Sequence, residues 1–380
     1  MKKINILFVI PQLEKGGSES LVYEIASRLD RNIFSSSVAY FKYYGNESFQ
    51  KAFQNHDIRL YHIPINNTVD ISAMQRMANI IRDYCIDVVN AHHFVSMVYS
   101  FYACKIANRR RLIYTEHSSW EVDNVTLKWL LLGRMLIHQL DCVTGISDDV
   151  TNALRSKYHI NEKKVLAINN GVSLEGIKMT RTARAIRDEF GISDDVKIIA
   201  SVANFRRVKN HLFLLRGFKE LVKEFGNVKL LLVGQGTEND SENTEINVRS
   251  YVKENGLLEK VILTGHRNDV RELLSIADVF CLTSYREGLP ISMLEAMSTG
   301  LPVVGTNVPG IRDVIMNGEN GYLVESDDHM SLKKALAILL TNRKIQLSFG
   351  QKSINIVNER YSMNECMKAY QDLFQRLVRC

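Results

Sequence analysis

The residues best placed to do chemistry are two carboxylates, Glu287 and Glu295, with seven residues between them. They lie in Ala277-Asp278-Val279-Phe280-Cys281-Leu282-Thr283-Ser284-Tyr285-Arg286-Glu287-Gly288-Leu289-Pro290-Ile291-Ser292-Met293-Leu294-Glu295, which reads as strand, loop and helix. Pro290 suits a first helical turn and Gly300 a helix stop, so the N–H groups of Gly288, Leu289, Ile291 and Ser292 should point out of a helix N-terminus. Such an end attracts anions, phosphates above all. Glu287 precedes the helix and Glu295 lies about one and a half turns inside it, so the two flank one phosphate site without touching. A carboxylate is acceptor-only and can take two hydrogen bonds from a vicinal diol, so this pair suits the hydroxyls of a diphosphate-bearing ligand. Singly, Glu295 reads as a solvated helix charge and Glu287 as a helix-dipole partner. Only the combination with Gly288 in this setting reads as a site.

The elements that must position these groups follow from the hydrophobic pattern. Short apolar runs alternate with longer segments of helical period, the mark of parallel strands covered by helices, so the fold class is α/β. In the first half the expected strands are Ile4 to Ile10, Ser37 to Phe41, Val88 to Ala91, Leu112 to Thr115, Cys142 to Gly145 and Val165 to Ile168. Asn169-Asn170-Gly171 is turn chemistry, and Ser173 to Arg187 is polar and basic without a strand. A second series follows at Lys197 to Ala203, Lys229 to Val233, Val261 to Thr264, Val279 to Thr283, Pro302 to Gly305 and Gly321 to Val324. The organisation expected is a doubly wound domain over 1–172, a linker over 173–195, a second doubly wound domain over 196–361, and a helix over 362–380, opened by Ser362 and Glu365 as a capping box, that packs back toward the first domain. Two such sheets facing one another would put a ligand cleft between their strand ends.

Composition narrows the class. With 380 residues, 46% hydrophobic and 24% charged, the chain can bury two cores, which excludes disorder and fibrous repeats. The formal charge of +6 is spread along the chain and does not call for nucleic acid. Cys85, Cys104, Cys142, Cys281, Cys366 and Cys380 are far apart and form no C-x-x-C, so neither a zinc site nor a disulfide framework is expected and a reducing cytoplasm fits. Ile4 to Ile10 imitates a signal peptide but contains Asn5, meets Pro11 and lacks a small-residue cleavage site, so it reads as a buried first strand. No run reaches the ~18 apolar residues needed to span a bilayer; Leu127 to Leu140 is broken by Lys128, Arg134 and His138.

The segment around Glu287 and Glu295 resembles the E-x7-E region of the retaining nucleotide-sugar glycosyltransferases of family 4, which have the GT-B fold of two Rossmann-like domains facing across a cleft. The resemblance extends over nearly the whole chain: Gly16-Gly17-Ser18-Glu19, His117 after Thr115-Glu116, Asn170-Gly171-Val172, Lys209-Asn210-His211, Val233-Gly234-Gln235-Gly236, Gly265-His266, and Pro309-Gly310 to Glu319-Asn320-Gly321. It implies that Glu295 holds the ribose diol and that Glu287 lies by the transferred sugar. The Gly288 and Leu289 amides would meet sugar hydroxyls, and those of Ile291 and Ser292 the distal phosphate. Lys209 would offset charge on the departing diphosphate. The family's arginine five residues before this lysine is replaced by Asn204, so Arg206, or else Arg207, is expected to swing into the phosphate site. Gly16 and Gly17 would close over the donor, the alternative being a tight turn needing positive φ. His117 would sit near the donor sugar and reaction centre. Of His92 and His93, at most one would face the acceptor, Glu116 would point away by strand alternation, and Gly265, His266 and Arg267 would frame the base.

The reaction implied is sugar transfer from a nucleotide-diphosphate sugar to a saccharide or lipid-linked saccharide hydroxyl with anomeric retention, in bacterial surface polysaccharide or glycolipid assembly. The chain contains no D-x-D, so no metal and no further cofactor is expected. Glu287 is assigned to positioning, with front-face departure and attack instead of a covalent glycosyl-enzyme. Aromatic and basic residues interleave over Tyr40 to Phe53 and Lys128 to Arg134, and Arg109-Arg110-Arg111 is a compact basic run, which suits a membrane surface on the inner face of the plasma membrane. Rival readings are another GT-B enzyme such as a nucleotide-sugar epimerase, and a non-catalytic glycosyltransferase-like subunit. A Rossmann oxidoreductase lacks its G-x-G-x-x-G.

Overall fold

A computed structural model describes residues 3–14, 16–66, 69–109, 111–173, 180–237 and 240–379. The chain forms two compact units, residues 1–171 with 363–380 and residues 172–362. The first holds strands β1 (Ile4–Leu13), β2 (Phe34–Tyr43), β3 (Arg59–His62), β4 (Val88–His92), β5 (Leu112–Glu116), β6 (Cys142–Gly145) and β7 (Val165–Ala167). The second holds β8 (Lys197–Val202), β9 (Val228–Val233), β10 (Val261–Leu263), β11 (Val279–Leu282), β12 (Val303–Thr306) and β13 (Gly321–Val324). Each sheet is parallel throughout, in the orders β3-β2-β1-β4-β5-β6-β7 and β10-β9-β8-β11-β12-β13. The order therefore reverses between β1 and β4 in one sheet and between β8 and β11 in the other. At such a switch point successive connections leave in opposite directions and open a crevice at the strand carboxyl ends.

The strands form where parallel strands must, in apolar runs buried on both faces. Ile6 to Ile10, Ile198 to Ala200 and Val279 to Cys281 have no exposed surface. Two differences from the sequence expectation have local causes. Strand β1 runs through Pro11 to Leu13 because past Val9 it pairs only with β2, where the ladder skips the proline that has no N–H to give. Strand β3 is short and lies at the sheet edge with half-exposed side chains, a pattern too weak to read.

Much of the segment read as a linker is folded into the second unit; residues 174–179 lie outside the described residues. The Thr180 amide and hydroxyl both donate to Glu272 Oε1 at 2.7 Å, and Arg181 pairs with Glu272, Asp269 and Glu189. Thr182 caps the helix Ala183–Glu189, whose Ile186 is buried with Ile192, Ile198 and Leu273. The last helix, Met363–Arg379, belongs to the first unit and buries Cys366, Met367, Tyr370, Leu373 and Phe374 at helical spacing. Phe374 meets Phe8 and Phe34 edge-on, with ring centroids 6.0 and 6.2 Å apart, and Arg111 donates to the Val378 carbonyl.

One contact fixes the helix Ile291–Ser298. It ends at Gly300, whose carbonyl lies against Gly350 in the helix Arg343–Arg360, and a Cβ at position 350 would stand 2.1 Å from that oxygen. In isolation Gly350→Ala should stabilise a helix by about 1 kcal/mol. Here overpacking against backbone, typically about 1–3 kcal/mol, should win. Urea unfolding of Gly350→Ala is expected to show net destabilisation, and a gain would mean that the two helices separate freely.

Candidate functional site

In the second unit, three strand ends meet. After β8 a short turn, Arg207–Lys209, carries Lys209, and Asn210 takes a left-handed conformation to start the next helix. This loop is tied to the one after β11: Tyr285 donates its amide to the Val208 carbonyl at 2.8 Å, and the Thr283 hydroxyl donates to the Asn210 carbonyl at 3.1 Å. The Thr306 hydroxyl, at the end of β12, donates to the Ser284 carbonyl. Lys209 Nζ lies 2.7 Å from Glu287 Oε1, and the Ser284 hydroxyl donates to the same oxygen at 2.6 Å. The carboxylate is thus held at one oxygen by a cation and a hydroxyl, and its side chain is only 9% exposed.

The helix beyond begins as the sequence suggests. The Met293 and Leu294 amides both donate to the Pro290 carbonyl, whereas the N–H groups of Gly288, Leu289, Ile291 and Ser292 have no acceptor among the described residues. Unpaired amides beside a lysine form an anion site. Glu295 stands half-buried in the second turn. The loop before the helix rests on Gly310, where a Cβ would lie 2.6 Å from the Glu287 carbonyl oxygen and φ is +78°. Beside the lysine, burial first and the Lys209 charge second push the His211 imidazole down to about 4.

Other expected members of this site stand differently. Arg206 does not reach it: its Nε pairs with Asp240 Oδ2 at 2.9 Å in the loop following β9, where position 206 also bridges Asn243. Arg207 is exposed. Gly265, at φ +71°, bridges Gly234 across the adjoining loops, and His266 is exposed. Arg267 is held by Glu189 and Asp269. Ser284 gave no separate sequence signal; only the turn of chain before Glu287 brings its hydroxyl back.

In the first unit the ends of β1, β4 and β5 assemble a second group. Gly16 caps the helix Gly17–Arg28 at φ −117°, so no positive φ is involved; its bare Cα makes room for Glu19, since a Cβ would sit 2.5 Å from Glu19 Oε2. Gly17 is the first residue of that helix with open space beside it. His92 is buried, and its Nδ1 lies 2.8 Å from His117 Nε2. His93 takes φ +67°, an uncommon state for a non-glycine residue, and stacks on His117 with centroids 4.7 Å apart. Of the adjacent pair it is His93 that lines a cavity of the first unit, between these strand ends and the helix Phe94–Ile106.

Alternation puts Glu116 on the face of Tyr114, opposite Thr115, and it is that face which borders the cavity. At the end of β5 the Glu116 carboxylate accepts from the His117 and Ser118 amides at 2.7 and 3.2 Å and from the Tyr114 hydroxyl, so the residue expected to point away lines the cavity. His93 Nδ1 lies 3.9 Å from Glu116 Oε1 and 3.6 Å from Glu121 Oε2. Burial raises the Glu116 carboxyl. Burial also pulls the His93 imidazole down, but the carboxylates of Glu121, Glu116 and Glu19 outweigh it and the net shift is upward. His92 is pushed down to about 3 by burial and by His93, and His117 is lowered by burial and both neighbouring histidines. Ligand atoms of His93, Glu116 and Glu121 all lie within 4.8 Å of one another, close enough for a cation to bridge.

The sequence models of two families match: Glycosyltransferase Family 4 over residues 15–175 and Glycosyl transferases group 1 over residues 182–355. The chain belongs to the family-4 glycosyltransferases. It is 27% identical to the N-acetyl-alpha-D-glucosaminyl L-malate synthase of Bacillus anthracis, over 82% of this chain and 80% of that one. It is 23% identical to the UDP-Gal:alpha-D-GlcNAc-diphosphoundecaprenol alpha-1,3-galactosyltransferase of Escherichia coli, over 84% of each. The structure of the Anabaena HepE protein in complex with UDP-glucose superposes with a TM-score of 0.85 at 18% identity, covering 98% of this chain and all of that one, which establishes the GT-B fold. In this glycosyltransferase Glu287, Lys209, Gly288, Leu289, Ile291, Ser292 and Glu295 gather at the switch point of the second sheet, while Gly16, Gly17 and His117 gather at that of the first.

Two outcomes follow from this geometry. Gly310→Ala should cost about 1–3 kcal/mol of stability, because the new Cβ meets the Glu287 carbonyl in a backbone region that penalises side chains. It should also speed hydrogen exchange at the Tyr285 amide in the same loop, which donates to the Val208 carbonyl; unchanged exchange would mean that the loop does not rest on Gly310. The second concerns acid. An unfolded histidine binds a proton below its ordinary value of 6.5, whereas folded His92 waits until about 3, so stability must fall as pH falls from 6.5. The slope is up to about 1.4 kcal/mol per pH unit for each such histidine. His93, shifted upward, acts oppositely: its contribution is full below 6.5 and is lost as pH rises through its raised value. Urea unfolding from pH 6.5 to 4 should show a shallower loss for His92→Gln than for the wild type; equal slopes would mean that His92 titrates normally.

Proposed function

We propose that this enzyme transfers a sugar from a nucleotide-diphosphate sugar to a saccharide or lipid-linked saccharide hydroxyl with retention, in assembly of a bacterial surface polysaccharide or glycolipid. The single observation that carries this is the set of four amides, without acceptors among the described residues, that follow Glu287, whose carboxylate is paired with the Lys209 ammonium at the switch point of the second sheet. That combination stabilises negative charge developing on a departing diphosphate. Glu295 would take the ribose diol, the Gly288 and Leu289 amides the sugar, and the Ile291 and Ser292 amides the distal phosphate. Glu287 is assigned to positioning: a carboxylate whose Oε1 is already held by Lys209 and Ser284 is a poor nucleophile, which favours front-face attack. The relatives support a nucleotide-sugar donor, UDP-glucose being bound in the Anabaena HepE structure and UDP-Gal named for the Escherichia coli enzyme, and the latter's name also gives a lipid-linked acceptor.

With Arg206 held by Asp240, Lys209 and the amides would carry the leaving group without a resident metal, leaving His93, Glu116 and Glu121 to the acceptor. No described helix is long and apolar enough to cross a membrane. Cys85, Cys104, Cys142, Cys281 and Cys366 are unpaired, which suits a reducing cytoplasm, with the enzyme peripheral on the inner face of the plasma membrane. Of the basic run noted there, Arg110 lies outside the described residues.

Melting temperature and slow nucleotide release should be measured with UDP-, GDP- and ADP-sugars. One donor is expected to stabilise the wild type and be hydrolysed. Glu295→Ala should weaken its binding by about tenfold or more, the loss of a charged hydrogen-bond acceptor being worth about 1.5–3 kcal/mol. Lys209→Ala should lower turnover by about a hundredfold or more. EDTA should leave both unchanged. A chain that binds no donor at millimolar concentration is a non-catalytic subunit, and a rearranged donor sugar among the products would identify an epimerase.

A further inference from the structure

The first unit contains a cavity of about 1470 Å³ whose lining belongs to that unit alone. It exceeds the roughly 300–1,000 Å³ of an ordinary small-ligand pocket, and its chemistry is divided. Glu19, His93, Glu116 and Glu121 make a polar group beside the ends of β4 and β5, whereas Phe94, Val98, Tyr99 and Tyr102 from the helix Phe94–Ile106, with Met74 and Trp129, make an apolar wall. Val69, Ile71 and Val95 also line the cavity and are 64%, 73% and 51% exposed, so its apolar surface continues out to solvent. On the helix Leu127–Ile137, which contributes Trp129 and Leu132 to the wall, Leu127, Leu131 and Met135 repeat every four residues and are all exposed.

Charge decides what the polar group can receive. Three carboxylates face one imidazole, so an anionic group brought among them is repelled, while sugar hydroxyls can donate to the carboxylates. The His93 imidazole, with Nδ1 3.6 Å from Glu121 Oε2 and 3.9 Å from Glu116 Oε1, supplies an N–H donor among these acceptors. A free sugar would leave the Phe94 to Trp129 wall in water. We infer that the acceptor is a glycolipid, its neutral terminal sugar bound among Glu19, His93, Glu116 and Glu121 and its apolar chain lying along the wall of helix Phe94–Ile106 and out past Val95. This rests on the transferase reading and narrows its acceptor. It separates the chain from an enzyme whose acceptor is a small hydroxy acid, as the name of the Bacillus anthracis relative indicates for that protein.

Trp120 and Trp129 are the chain's two tryptophans, and Trp129 lies in the wall, so intrinsic fluorescence of the full chain reports occupancy directly. The probes are methyl, butyl, hexyl and octyl β-D-glucoside below their micelle concentrations, and L-malate, each titrated with and without UDP. Burial of a methylene is worth about 0.8 kcal/mol, or roughly fourfold in affinity. Affinity is expected to rise at least about tenfold from butyl to octyl even if only part of the chain is covered. Malate should bind more weakly than methyl glucoside. Val95→Glu, at a half-exposed position outside the polar group, should abolish the chain-length gain while leaving the melting temperature and UDP binding unchanged. Trp129→Phe should keep the gain when it is measured by calorimetry. Affinity independent of chain length, an equal gain in Val95→Glu, malate binding at least as tightly as methyl glucoside, or a dimer in sedimentation that octyl glucoside dissociates would each overturn the inference, the last by showing that a second copy fills the groove. Loss of UDP binding with the chain-length gain intact would instead count against the transferase reading.

Discussion

Everything chemical in this protein depends on one constraint: a parallel sheet whose strand order reverses cannot cover its own carboxyl edge at the reversal. Strands β1 and β4, and β8 and β11, lie side by side, but their following connections depart to opposite sides. The gap left there is lined by loop backbone and by the first turns of helices, where N–H groups lack intrahelical acceptors. Lys209, Glu287 and the four free amides occupy that gap in one unit; Glu19, His92, His93, Glu116 and His117 occupy it in the other. Apolar strands buried on both faces provide the rigid base that such loops need.

The two gaps are charged differently, and their chemistry follows from that. In the second unit the Lys209 ammonium and amides without acceptors among the described residues offer positive potential, with Glu287 held as the lysine's partner. In the first, buried acids and histidines adjust one another: two imidazoles are driven toward neutrality by burial and by each other, while His93 gains from three carboxylates. A site of the first kind suits a leaving diphosphate, and one of the second suits hydroxyls. The division of labour proposed between donor and acceptor would then rest on the electrostatics of each unit taken alone.

The apolar pattern made the strands legible. Cys142–Gly145 and Gly321–Val324 stand where the sequence puts them, and other strand ends move by a few residues. The site helix was legible for the same local reason: proline near its start, glycine at its stop and free amides before it are properties of a few adjacent residues. Edge strand β3 and the folded part of the supposed linker were not legible, because a short edge strand carries little periodicity and the packing of Thr180 to Glu189 depends on Asp269 and Glu272, which are distant in sequence.

By itself the sequence determined the α/β class, the duplicated doubly wound plan and the segment from Glu287 to Glu295, since each is written in local spacing and in the alternation of apolar runs. Tertiary structure decided the partners. It gave Arg206 to Asp240 instead of the phosphate site, set Ser284 and Lys209 on one oxygen of Glu287, put the cavity on the face of β5 that carries Tyr114 and Glu116, and chose His93 over His92 to face it. These are questions of which charged or polar atoms come within a few ångströms of one another. Residues far apart in the chain answer them, and only the closed fold brings those residues together.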